Sequence, residues 1–254
     1  MNSSLGILGV GHLATYVIAG LRRAGDQREI LLSPRNAQRA QALVREHRCV
    51  QERSNQTVVE RARIILLSVR PHQLESLLEP LEFKADHLLI SCVAGVSLEH
   101  LRSLVGDAQV VRTLPLACAE VGEGAVPLYP EHPEASALLS QLGELVLLGS
   151  EAQFELASVA ACMNGWMFKF FAQLTEWYAA QGLAPETAKA LVLHAFSGAV
   201  SLADASTDKS MVEISDSIAT EGTYTKLGLD MLESQGAFDL WVDACAEVEK
   251  ALKS

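Results

Sequence analysis

Leu5-Gly6-Ile7-Leu8-Gly9-Val10-Gly11-His12-Leu13-Ala14 carries a short apolar strand into a Gly9-x-Gly11-x-x-Ala14 turn. The turn leads directly into a helix predicted over roughly 13–24. A turn of this kind holds a dinucleotide pyrophosphate, and each small residue has its own reason. Gly9 permits the sharp bend, Gly11 has no Cβ to keep the backbone away from the phosphates, and Ala14 lets the helix pack close to the strand. The amides of the first helical turn and its positive dipole end then face the anion. A purely structural glycine turn is the competing reading of the same residues.

About 20 residues beyond such glycines, a site for NAD places an Asp or Glu that grips the ribose 2′-hydroxyl. Here the second strand, Glu29-Ile-Leu-Leu32, runs into Ser33-Pro34-Arg35-Asn36, with no acid at that point. A hydroxyl, a guanidinium and an amide suit a 2′-phosphate, because arginine offers a planar fork of donors to phosphate oxygens. NADP, as NADPH, is therefore the expected cofactor. Ser33 and Asn36 also read as caps of the following helix, with Arg35 then merely solvated.

At 254 residues and 49% hydrophobic the chain can bury a sizeable core and is expected to divide into two domains. A net charge of −11 and a pI near 5.1 argue against nucleic acid or an anionic membrane as partner, since both require a basic surface. The binding cleft is then expected to be locally positive against a negative background. The five cysteines are odd in number and lack CxxC spacing, and Cys92 and Cys162 sit in apolar runs. They read as buried free thiols in a reducing cytoplasm. No HxxxH or HExxH pair supports a metal. There is no basic leader and no uncharged run of the ~18 residues a membrane span needs, so a soluble, cytoplasmic protein is expected.

Residues 1–150 alternate short apolar runs with helical patterns, the signature of a parallel sheet flanked by helices. A helix is predicted from Asn36 to His47, a central strand at Ile64–Val69, and another at Leu88–Val93. Pro71 is placed to open a helix, and Ser97 to cap the helix through Leu104. From 151 to 254 the pattern turns helical: 151–181, then Pro185 to about Ala205, roughly 208–217, 224–234 and 237–252. So much apolar helical surface is expected to be completed by a second copy of the chain, making a homodimer. A monomer packing these helices on its own sheet domain is the other reading.

Taken in order, several segments resemble the pyrroline-5-carboxylate reductases, NADPH-dependent enzymes that reduce a cyclic imine in proline biosynthesis. They are Gly9-Val-Gly-His-Leu-Ala14, Ser33-Pro-Arg35, Asn55, Ser68-Val-Arg-Pro71, Ser91-Cys-Val-Ala-Gly-Val96, Arg112-x-x-Pro115 with Val121-Gly-Glu-Gly124, and Gly222-x-x-Thr225 with Leu229-x-x-Leu-Glu233. The resemblance implies an α/β fold: an N-terminal Rossmann-like doubly wound sheet, then an all-α dimerisation domain. It also implies an active site between one subunit's cofactor crevice and helices of its dimer partner, with possible further assembly of dimers. By position, NADPH contacts fall on Gly9, Gly11, His12, Leu13, Ala14, Ser33, Arg35, Asn55, Val69, Arg70, Pro71, Ala94 and Gly95.

The substrate half departs from the family pattern. A family Ser-Gly-Ser-Gly-Pro-Ala-Tyr segment is replaced by Asn164-Gly-Trp-Met-Phe-Lys-Phe170, and Ser-Pro-Gly-Gly-Thr-Thr by Thr220-Glu-Gly-Thr-Tyr-Thr225. The Asn-x-Pro after Arg-x-x-Pro has become Leu116-Ala-Cys118. The resemblance thus implies a divergent member, acting on pyrroline-5-carboxylate or a related C=N substrate. Thr225 takes the position of a donor near the imine nitrogen, with a cap of a 226–234 helix as the alternative. Gly222, Thr223, Tyr224 and Lys169 are the candidate substrate contacts, and Glu221 is expected to weaken carboxylate binding there. Lys169 also reads as a lysine snorkelling off a helix face, and Trp166, Phe168, Phe170 and Phe171 as core or interface. His12 reads as a phosphate or nicotinamide neighbour or a helix cap, and Glu176 as one member of a structural ion pair. Two other functions stand beside the first: a cofactor-binding sensor without catalysis, and reduction of a small carbonyl substrate.

Overall fold

The computed structural model describes residues 4–252. They begin with β1 (Leu5–Leu8), α1 (His12–Arg23), β2 (Ile30–Leu32), α2 (Ala37–His47), β3 (Val50–Gln51), α3 (Asn55–Arg61) and β4 (Ile64–Leu67). A 3-10 turn at Pro71–Gln73 leads into α4 (Leu74–Leu78), then β5 (Leu88–Ser91), α5 (Leu98–Val105) and β6 (Gln109–Thr113). A second 3-10 turn (Ala117–Glu120), β7 (Ala125–Tyr129), α6 (Pro133–Leu139) and β8 (Glu144–Leu147) follow. The remaining described residues form α7 (Glu151–Ala180), α8 (Pro185–Ala205), α9 (Met211–Ile218), α10 (Tyr224–Ser234) and α11 (Ala237–Leu252). Two compact units result, divided within α7: described residues to 161 together with Leu252, and residues 162–251.

The sheet has eight strands in the order β3-β2-β1-β4-β5-β6-β7-β8. All neighbours are parallel except β6 and β7. The sequence shows why both faces are covered. Leu5, Ile7, Ile30, Leu32, Ile64, Leu66, Leu88 and Ile90 share one buried cluster with Val17, Ile18 and Leu21 of α1, Leu43 of α2 and Leu138 of α6. The alternate residues Leu8, Leu31, Ile65, Leu67 and Leu89 share the other with Val58 of α3, Leu74 of α4 and Leu101 of α5. Side chains alternate faces along a strand, so a continuous apolar run needs helices on both sides, which is the doubly wound arrangement.

The helix boundaries follow local chemistry. Ser97 caps α5 as expected, its hydroxyl accepting the His100 N–H at 3.1 Å. Pro71 opens a 3-10 turn before α4. α9 begins at Met211, later than expected, because Ser210 and Glu213 form a capping box. The strands at 64 and 88 stop at Leu67 and Ser91, two residues short of the expected ends. β3 and β6–β8 were not separately assigned from the sequence. β3 is only two residues long, and β6 carries Arg112 in its interior. The β6–β7 link holds only the second 3-10 turn, and the chain returns antiparallel, Arg112 opposite Tyr129.

Arg112 is a fully buried cation. Its Nη1 meets Glu151 Oε1 at 2.7 Å and Glu155 Oε1 at 2.6 Å, both on the first turns of α7. The guanidinium lies 4.4 Å from the centroid of the Phe154 ring. Glu151 Oε1 also accepts the Leu98 N–H at 2.6 Å, so one carboxylate ties β6, the start of α5 and the start of α7 together.

In the second unit the described residues keep much apolar surface in the open: Val212 and Leu227 are each 68% exposed. Trp166, Phe170, Phe171, Phe196 and Trp241 form a chain of ring contacts 4.9–6.2 Å apart. The expectation of buried thiols holds for Cys49 and Cys92, but Cys162 is exposed. The helical period places it on an uncovered side of α7. Among the described residues, no helix is long and apolar enough to cross a membrane.

Candidate functional site

The strand order turns outward in both directions from β1 and β4, and ligands of such sheets bind beyond the carboxyl ends at that point. Gly9 and Ser68 are the residues that follow those two strand ends. Gly9 has φ +96°, and a Cβ there would stand 2.6 Å from the Ser68 carbonyl oxygen and from Val69 Cγ1. Its peptide is held from both sides. The Gly9 N–H donates to Ser33 Oγ at 3.2 Å, and the Ser68 hydroxyl donates to the Gly9 carbonyl at 2.7 Å.

Gly11 differs. Its φ of −100° suits any residue, and a Cβ there would meet nothing closer than the Ser68 oxygen at 4.0 Å. The polypeptide itself does not require glycine at 11, and the space beside it is open. Ala14 is fully buried against the sheet, as its close-packing role demands.

A cavity of about 450 Å³ opens here, lined by the 9–13 turn, Ser33, Arg35, Asn36, Asn55, Ser68, Val69, Arg70, Gln73, Leu77 and Cys92. Two guanidinium groups and no carboxylate line it, although the chain carries a net charge of −11. The expected local positive charge is therefore present. Asn55 Oδ1 is buried with no hydrogen-bond partner, an acceptor left over by the protein. Burial pushes the Cys92 thiol up to about 12, so it stays protonated and inert at neutral pH.

Nine of the thirteen residues expected around a cofactor line this cavity: Gly9, Gly11, His12, Leu13, Ser33, Arg35, Asn55, Val69 and Arg70. Ala14 lies beneath it in the core, Pro71 opens the adjoining turn, and Ala94 and Gly95 follow the end of β5 outside the lining. Gln73 and Leu77 line it without having been singled out, and Cys92 lines it as a buried thiol of the Ser91–Val96 segment. Gln73 and Leu77 lie in the turn and helix after β4, where no sequence signal marks them.

The capping readings of this region need correction. Ser33 is 1% exposed and serves the Gly9 amide. Asn36 does occupy the N-cap position of α2, but with φ 66° and no side-chain cap bond. Its amide instead donates to the Val10 carbonyl at 3.1 Å, fastening the end of β2 to the glycine turn. Of the three groups expected to meet a 2′-phosphate, only Arg35 is exposed and without a hydrogen bond or ion pair among the described residues. His12 does not cap α1, whose N-cap is Gly11; its Nε2 lies 3.0 Å from Arg39 Nη2.

In the second unit, Gly222, Thr223, Tyr224 and Thr225 form the entry to α10. Thr223, not Thr225, is its cap: the Thr223 hydroxyl accepts the Lys226 N–H at 3.1 Å and donates to the Thr220 carbonyl at 2.7 Å. The helix starts at Tyr224, two residues earlier than a Thr225 cap would allow. Thr225 is left exposed with its hydroxyl unengaged among the described residues, and Tyr224 is 94% exposed. Lys169 is exposed on α7 and shares no hydrogen bond or ion pair with that turn. Glu176 is also exposed there, and the ion pair expected of it is absent among the described residues.

Comparison with known proteins matches each part of the chain. Residues 4–95 match the family model described as NADP oxidoreductase coenzyme F420-dependent. Residues 151–254 match pyrroline-5-carboxylate reductase dimerisation. The chain is 26% identical over 244 residues to the pyrroline-5-carboxylate reductase of Pseudomonas aeruginosa, covering 91% of this chain and 89% of that one. Among solved structures, 1-pyrroline-5-carboxylate reductase of Streptococcus pyogenes superimposes with a TM-score of 0.88 at 24% identity, over 99% of this chain and 98% of that one. Pyrroline carboxylate reductase of Plasmodium falciparum, solved with NADP bound, gives a TM-score of 0.88 at 21% identity, over 99% and 97% of the two chains.

Proposed function

Because the chain belongs to the pyrroline-5-carboxylate reductase family, we propose that it reduces a cyclic imine, pyrroline-5-carboxylate or a close C=N relative, with NADPH as cofactor. One observation carries the reading. An acid-free cavity with two arginines at a glycine turn is followed, in the same chain, by a helical segment matching the dimerisation domain of those enzymes. We further propose that the chain works as a homodimer through its C-terminal helices, in the cytoplasm.

The residues divide the work by their chemistry. Amides at the start of α1 and its positive dipole end hold the pyrophosphate, and the open side of Gly11 lets the phosphates approach. Arg35 meets the 2′-phosphate, and Asn55 Oδ1 accepts a hydroxyl or amine hydrogen of the adenosine. Val69, Arg70, Pro71, Ala94 and Gly95 border the cofactor. When bound, the reduced nicotinamide supplies a hydride to the imine carbon. The protein adds placement and a hydrogen-bond donor at the imine nitrogen, since electron withdrawal there makes the carbon a better hydride acceptor. Thr225 is that donor in our reading, consistent with a hydroxyl that the helix cap does not use. The backbone at Gly222–Thr223 receives a substrate acid, Tyr224 and Lys169 border the substrate, and Glu221 weakens the hold on a carboxylate.

The altered entry to α10 favours one second reading, a protein that binds NADPH without turnover: the Thr223 hydroxyl is committed to the cap and Glu221 opposes an acid. NADPH oxidation by the purified protein, followed with pyrroline-5-carboxylate, a panel of cyclic imines and a panel of 2-oxo acids, separates the possibilities. Turnover on imines supports the first reading, tight NADPH binding without turnover supports the second, and turnover confined to the oxo acids overturns both. Thr225→Ala is expected to lower turnover on the imine about a hundredfold with NADPH affinity and melting temperature unchanged.

A further inference from the structure

Beside the cavity, in a depression that shares Asn36 with it, lies a cation that the expected residues do not include. Arg39, half-buried on the first turn of α2, places Nη2 3.0 Å from His12 Nε2. Arginine has only donors, so His12 Nε2 is the acceptor and the ring proton sits on Nδ1. The partner of this guanidinium is therefore a neutral ring, not a carboxylate, and its positive charge stays uncompensated by that bond. Glu46, two turns further along α2, shares a depression with Arg39, Thr15 and Asn36, but no ion pair joins Glu46 to Arg39 among the described residues.

The location of that charge follows from two fastenings already described. Asn36 Nδ2 on the Val10 carbonyl holds the start of α2 to the glycine turn, and the His12 ring holds Arg39 over the start of α1. Arg35 lines the main cavity, Arg39 lines the depression beside it, and Asn36 lines both. A pyrophosphate at the glycine turn already meets the α1 amides. A phosphate monoester on the ribose carries about −1.5 to −2 charges at pH 7, yet among the groups at the end of β2 it meets one free guanidinium. Ser33 is 1% exposed, and the Asn36 amide is committed to Val10.

We propose that Arg39, held in place by His12, is a second specificity residue for the 2′-phosphate of NADPH and acts with Arg35 as a two-guanidinium clamp. The proposal rests on the NADPH reading above. Its occupant is a phosphate monoester on the adenosine ribose, and NADH, which lacks it, is the control.

Binding of NADPH, NADH and adenosine 2′,5′-bisphosphate to the wild type and to Arg39→Gln, followed by nucleotide fluorescence and calorimetry, tests it. Arg39→Gln is expected to weaken NADPH and the bisphosphate at least tenfold, the size of a lost hydrogen bond to a charged group, and to leave NADH unchanged. Retained NADH binding by the variant shows that it is folded. If NADPH and NADH weaken equally, or neither weakens, the clamp is overturned and the NADPH reading stands. If the wild type binds none of the three, the NADPH reading falls and the clamp falls with it.

Discussion

Gly9 and Gly11 are two residues apart and carry the same side chain for opposite reasons. At Gly9 the backbone sits at φ +96° with a carbonyl oxygen 2.6 Å from where a Cβ would stand, so the chain's own atoms demand glycine. At Gly11 the conformation is ordinary and the space open, so any demand comes from an occupant. Gly9→Ala is accordingly expected to cost roughly 2 kcal/mol or more in folding stability, because left-handed strain adds to a backbone clash that cannot relax. Gly11→Ala should leave the denaturation midpoint nearly unchanged while weakening NADPH at least tenfold. Parallel chemical denaturation and cofactor titration check the pair, and a Gly11→Ala variant that binds NADPH normally would remove the glycine turn from the site. The motif was legible in the sequence. The division of labour was not, because it depends on β4 running alongside β1 and bringing Ser68 against Gly9.

Among elements, the junction of β6, α5 and α7 shows the limit of local reading. A strand pattern is recognised by apolar residues, and Arg112 interrupts it with a cation that the fold buries completely. Its two carboxylate partners lie 39 and 43 positions later, which no periodicity reveals. Taking one member from such a group leaves uncompensated charge in a poorly hydrated place. Arg112→Ala is therefore expected to destabilise by about 3–5 kcal/mol, leaving Glu151 and Glu155 to repel each other. Glu155→Gln should cost less, since Glu151 still pairs with the guanidinium. Urea unfolding of the two variants measures the difference, and equal small losses would show that the cluster contributes little. The helix starts were easier to read. Ser97 and the 151 and 185 boundaries follow from capping and proline chemistry, while the cap of α10 fell two residues from Thr225 because Thr220 and Lys226 jointly engage Thr223.

For the whole molecule, the helical unit sets the decisive quantity, which is apolar surface. Phe168, Val212, Leu227 and Leu240 are each 65–68% exposed, so large apolar side chains on four of its helices stand in water. Coverage by a second copy relieves this, and the match of residues 151–254 to a dimerisation domain agrees. Stability should then rise with protein concentration, because association draws on the folded form alone. Leu227→Glu is expected to shift sedimentation velocity toward monomer and to remove that concentration dependence. A monomeric wild type at micromolar concentration would overturn the dimer.

Local sequence signals sufficed for β1, β2, β4 and β5, for the covering of both sheet faces, and for a glycine turn between β1 and α1. These depend on periodicity, capping and glycine chemistry, all of which act within a few residues. The tertiary structure alone decided that Ser33 and Ser68 grip one glycine, that Asn36 fastens two loops, that His12 holds Arg39, and that Arg112 is buried between two carboxylates. Such contacts join residues that only the folding of distant strands and helices brings within hydrogen-bond reach.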